Sequence, residues 1–130
     1  LHLILNLFEQ YGYPGEEELG KHVESLEILL LHFDRDTSNQ LLHPHLEKAL
    51  LKGKIHPVDF AFIKDRHSFY HNETQKYWAW PCVSKGERLP FSEADIPKIL
   101  ALRESIGIYD SGLSQKRKRG WYVLQISFNQ

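Results

Sequence analysis

The chain of 130 residues contains a single cysteine, no methionine and almost no net charge, and each scarcity removes a class of function. With Cys82 alone there is no intramolecular disulfide and no thiolate cluster for zinc. Sixteen basic residues against 17 acidic ones leave no overall field to gather nucleic acid or an anionic membrane. The most apolar stretch, "LEILLL" from Leu26 to Leu31, is far below the ~20 residues of a membrane span. Neither nucleic acid nor membrane is therefore an expected partner. The chain opens on "LHLILNLFEQ" without a Met, so removal of upstream residues is expected and localisation stays open, the cytoplasm being favoured by the cysteine usage. Serines form no nucleophile elbow and glycines no phosphate loop.

What is present is a chain 42% hydrophobic and 12% aromatic, enough for one core, and a length that fits a single domain over 1–130. Ile4, Leu7, Phe8 and Tyr11 recur at helical spacing before "YGYPG" breaks the pattern. From Lys21 to Phe33 the apolar side chains cover most of a helix's circumference, which predicts the buried centre of a bundle. Thr37 or Ser38 can cap a third helix through Leu46 and Leu50, with Pro44 forcing a kink or a late start. Pro57 suits the first turn of a fourth helix to about Tyr70, and Ser92 or Asp95 can cap a fifth from Ile96 to about Ser105. "QKRKRG" reads as a solvated basic turn, and the alternation in "WYVLQISF" predicts a strand over 121–128. The best available partner for that strand is 77–83. The expected fold is thus mainly α, a small bundle of four to five helices with a short β element, and 111–130 form a C-terminal strand extension.

On the fourth helix, Val58, Phe62, Asp65 and Phe69 share a stripe, so Asp65 faces apolar neighbours. His32 shares its stripe with Ser25, Ile28 and Leu29. A His and an Asp that both face inward could meet, the carboxylate orienting the imidazole as acid or base. A plain polar link in the core is the competing reading. His67 and His71 have the spacing of a two-imidazole metal pair, with His43 and His45 nearby, but no acidic residue stands between them. Exposed histidines with no metal and no cofactor are expected. "DRDTSNQ" lacks the Gly and the Glu of a calcium loop, and Cys82 has no base beside it.

In their order, "YPGEEELG", "LLLHFDRD", "LEKALLKGKI", "FAFIKDRHSFYHNETQKYW" and "RESIGI" give the chain a resemblance to a bacterial family of small domains of unknown function, number 6624. It spans Tyr11 to Tyr109, roughly three quarters of the chain. The resemblance singles out His32, Asp34, Asp65, Arg66, Gln75, Tyr77 and Arg103 as residues of a shared polar site. It also exposes a departure, because Trp78, Ala79 and Trp80 stand where that family has Gly, Thr and Gln. Two function classes follow. One is a binding or adaptor module, with the polar cluster fixing the bundle and "YWAW" as an aromatic contact surface for a protein partner or a second copy. The other is an enzyme, hydrolase-like, with His32 as acid or base, Asp65 as its orienter, Arg66 holding an anion, and Gln75 and Tyr77 positioning a small polar ligand.

Overall fold

The helices begin and end where proline and glycine dictate. The computed structural model describes residues 1–80, 93–118 and 121–128. Helix α1 (His2–Tyr11) stops at Gly12, whose φ of 78° few other residues tolerate and whose N–H returns to Phe8 O. A single turn, α2 (Glu16–Leu19), is tied at its start by Glu18, which accepts from Gly15 N at 2.9 Å and from Lys54 Nζ at 2.7 Å. Helix α3 (Val23–Leu31) follows, then α4 (His43–Leu51), with Pro44 in its first turn. A proline there removes an N–H that has no helical partner anyway, so α4 starts late after a 3₁₀ turn and is not kinked. Helix α5 (Pro57–Tyr70) packs on both α3 and α4, and α6 (Ile96–Ser105) ends before Gly107.

The core is built on the Phe60, Ile63 and His67 face of α5, against Leu30 of α3 and Leu42, Leu46 and Ala49 around α4. Burying side chains of this size stabilises by roughly 1.5–3 kcal/mol each, and Leu46→Ala would cost roughly 2–5 kcal/mol. Phe8 joins from α1 and packs at a tilt on Tyr13, with ring centroids 5.2 Å apart. Tyr77 and Ile108 bring in the segments on either side of α6.

Two expectations need correction. Helix α3 is apolar nearly all round yet lies at the edge of the bundle, with Ile28 55% and Leu29 44% exposed and Leu30 its one buried side chain. The second concerns the β element. Residues 77–80 form a loop and not a strand, and 81–83 lie outside the described residues. The strand β2 (Trp121–Phe128) pairs antiparallel with β1 (Asp110–Lys118), from Lys118↔Trp121 to Asp110↔Phe128. Pairing neighbours in sequence closes a far shorter loop than reaching back to residue 77 would. Gln115 to Lys118, expected in a turn, therefore belong to β1. Cys82 and Ser92 also lie outside the described residues. Among those described, no helix is long and apolar enough to cross a membrane.

Candidate functional site

Asp65 sits in the third turn of α5, 1% exposed, and its hydrogen bonds run to backbone amides and not to His32. Its carboxylate accepts the backbone N–H of Lys76 at 3.0 Å, of Tyr77 at 3.2 Å and of Ala79 at 2.8 Å. Burial pushes this carboxyl above its usual range, while the three N–H groups and the Arg103 charge pull the other way. Arg103 of α6 is 0% exposed and works on the same loop with opposite polarity. Its Nε donates to Tyr77 O at 2.6 Å and its terminal nitrogen to Trp78 O at 3.0 Å. Gln75 closes the loop from inside, accepting Trp80 N at 3.2 Å. The Tyr77 ring leans on Phe60, centroids 6.2 Å apart, and burial followed by the Asp65 charge raises its hydroxyl pKa.

A second pair flanks the loop. Arg66 grips one oxygen of Asp34 with two nitrogens, at 2.8 and 2.7 Å, and lays its guanidinium 4.5 Å from the centre of the Trp80 ring and 5.5 Å from that of Tyr70. Trp80 in turn sets its ring edgewise on Phe62 at 4.9 Å. Trp78 is buried, with a φ of 52° in the left-handed region that favours glycine. The resemblance puts a glycine at this position.

Six of the seven residues named by the resemblance therefore gather around residues 75–80: Asp34, Asp65, Arg66, Gln75, Tyr77 and Arg103. His32 does not. It caps the C-terminus of α3, is exposed, and bonds its Nδ1 to Ile28 O at 2.8 Å. The stripe it shares with Ile28 and Leu29 faces outward, so the expected His32–Asp65 pair is replaced by separate partners for each. The aromatic contact surface expected of "YWAW" does not form as such, since Trp78 is buried and Trp80 lies against Phe62 and Arg66.

A histidine cluster forms at the far end of α5. His67, expected to be exposed, is 1% exposed because it continues the Phe60 and Ile63 face at spacings of three and four. That spacing was the sequence signal for its burial. Its Nε2 bonds Leu30 O at 2.9 Å, and its Nδ1 faces His43 Nε2 at 3.4 Å, with the rings 13° from parallel. With His71, Asn39, Ser68 and Glu73 these rings line a polar cavity of about 200 Å³. Burial first, then the charges of Lys64 and His67, lowers His43 to about 4, and burial lowers His67 as well. Both are neutral at neutral pH. Among the described residues, no group of three or more His, Cys, Asp or Glu side chains could hold a metal ion.

Between them, α1 and α3 leave a groove of about 470 Å³ floored by Ile4, Leu7, Leu26 and Leu29 and walled by Tyr11 and Glu18. Comparison with known proteins gives no match to a protein family, a curated protein or a solved structure.

Proposed function

We propose that the chain is a binding module that seats an amphipathic helix of a protein partner in the groove between α1 and α3. The observation that carries this reading is the apolar floor of that groove, where Leu7 and Leu29 stay exposed beside Tyr11. Exposed apolar side chains gathered in one groove mark an interaction surface. A cleft between two helices accepts a third helix through anchors at i, i+3, i+4 and i+7. Charge selects the partner. Glu18 in the wall is already paired with Lys54, but Glu16 and Glu17 precede it in the exposed first turn of α2 and supply the negative charge, so the incoming helix carries Lys or Arg beside its apolar stripe.

Six of the seven residues that the resemblance to family 6624 points to, all but His32, serve the 75–80 loop, which supports a scaffolding role for them and leaves recognition to another face. The alternative, a hydrolase-like enzyme with His32 as acid or base and Asp65 as its orienter, lacks support from the geometry, because each side chain is engaged elsewhere. The aromatic contact surface gives way to the α1/α3 groove for the same reason.

The test is a fluorescence-anisotropy titration with a labelled amphipathic helical peptide bearing Lys beside its Leu stripe, and with a twin in which Glu replaces Lys. The Lys peptide should bind, the Glu peptide should bind at least about tenfold more weakly, and Leu7→Glu or Leu29→Glu should remove the binding. Equal affinity for both peptides, or none for either, would overturn the reading. So would a stable dimer on size exclusion that Leu7→Glu dissociates, since the groove would then belong to a second copy.

A further inference from the structure

The two stacked imidazoles near the C-terminal end of α5 fix the position of each other's protons. His67 Nε2 faces the carbonyl oxygen of Leu30 at 2.9 Å, and a carbonyl only accepts, so this nitrogen carries the proton of the neutral ring. Its Nδ1 is then bare and accepts. The group facing it is His43 Nε2, 3.4 Å away, which therefore donates. A neutral imidazole has one N–H, so the His43 ring keeps a bare Nδ1. The chain of bonds from Leu30 through His67 to His43 ends in a lone pair.

His71 brings a second lone pair to the same cavity. Its Nε2 is buried with no hydrogen-bond partner, and its ring is part of the lining. Proteins leave buried N–H groups unpaired less readily than buried acceptors, so the His71 proton belongs on Nδ1 and Nε2 is bare. Glu73, exposed at the rim, adds a carboxylate that only accepts. Thr37, Gln40 and Ser68 complete the polar wall. Among the described residues that line the cavity there is no Lys or Arg. An anion would therefore meet lone pairs and a like charge, whereas a cation rich in N–H donors meets partners. The cavity is about 200 Å³. A void of ~150 Å³ holds one benzene molecule, so a ligand of about six non-hydrogen atoms fits.

We propose that this cavity binds a small primary amine in its ammonium form, such as an amino alcohol. The three N–H bonds of the ammonium group go to His43 Nδ1, His71 Nε2 and the Glu73 carboxylate, one donor for each acceptor. The polar tail of the ligand goes to the hydroxyls of Thr37 and Ser68. Binding also gives the buried nitrogen of His71 the partner whose absence costs stability.

The test uses the full chain with isotope-labelled histidine at neutral pH. A long-range proton–nitrogen NMR spectrum reads the tautomer of each ring, and should show His43 and His67 protonated on Nε2 and His71 on Nδ1. Ethanolamine should shift the His43 and His71 signals saturably, while acetate, similar in size and opposite in charge, should not. Glu73→Gln and His71→Phe should each weaken ethanolamine binding at least about tenfold, and a His2→Ala, His22→Ala double variant should bind as the wild type does. Glu73 is exposed, so its variant tests the site without disturbing the core. An amide-capped lysine, too bulky for the cavity, should bind more weakly than ethanolamine. Tighter binding of the lysine, an equal response to acetate, binding that survives both variants, or no saturable shift at all would overturn the site. A proton on His43 Nδ1 in the free protein would remove its premise.

Discussion

Asp65 and Arg103 hold opposite sides of the same peptide stretch: Asp65 accepts the N–H of Tyr77, and Arg103 donates to its carbonyl oxygen. One residue comes from α5 and the other from α6, so the loop between 75 and 80 is pinned by both helices. A buried carboxylate is unfavourable when isolated, and here the cost is offset by backbone donors that would otherwise be buried without acceptors.

The first prediction follows from that exchange. Asp65→Ala leaves the amides of Lys76, Tyr77 and Ala79 without their acceptor and removes a negative charge that attracts Arg103. Stability should fall by roughly 3–5 kcal/mol in urea denaturation, with Asp65→Asn nearly as costly because an amide nitrogen would face N–H donors. A loss below 1 kcal/mol (about one surface hydrogen bond) would mean that the loop is held by other contacts.

Trp78 offers a separable test of backbone and side chain. Its φ of 52° is strained for any residue with a Cβ, yet its ring is buried. Both Trp78→Ala and Trp78→Gly should destabilise through lost packing, but the glycine variant should be the more stable of the two by about 1 kcal/mol. The usual order, with alanine ahead of glycine, would argue against the left-handed conformation at this position.

Much of the helical order was legible because glycine, proline and apolar spacing act locally. Pro44 and Pro57 mark first turns, and Gly12, Gly53 and Gly107 follow helix ends. Inward placement of Asp65 was legible too, although its partners were not. Backbone amides eleven to fourteen residues downstream leave no trace in residue type. The error at His32 has a definite cause. When a helix is apolar on nearly every side, periodicity does not reveal which side is the core, and in α3 the burial fell on Leu30 while Ile28 and Leu29 stayed outside. In α5 both stripes carry large apolar residues, and the Phe60, Ile63 and His67 set is the buried one while Phe62 and Phe69 are only partly covered. Hydrophobic size alone did not rank the two faces, since α4 and α3 together decide which of them is covered.

Arg66 provides a prediction with an optical readout. Its guanidinium bonds Asp34 through two nitrogens and lies over Trp80, functions that one ammonium group does not combine. Arg66→Lys should therefore cost roughly 1–2 kcal/mol and shift tryptophan emission to the red as Trp80 gains water. Unchanged emission together with unchanged stability would place Trp80 independently of the cation.

The last prediction concerns pH. Glu27 of α3 and Asp59 in the first turn of α5 share a hydrogen bond between carboxyls, with Glu24 and His56 close by. Burial first, and then the Asp59 charge, raises Glu27 from 4.5 to about 7, and burial raises Asp59 as well. A folded pKa above the unfolded one means that protonation favours the native state. The contribution is fully present below about pH 4.5 and is lost as pH rises through about 7, where two negative charges must face each other across α3 and α5. Glu27→Gln keeps a hydrogen-bond donor at every pH and removes one of those charges. It should match the wild type near pH 5 and exceed it at pH 8.5 by about 1 kcal/mol, a modest figure because solvent screens a half-exposed pair. Denaturant unfolding of both proteins across this range is the measurement. If the two stability profiles run parallel, the carboxyls do not share a proton and the packing of α3 on α5 is insensitive to pH at this point.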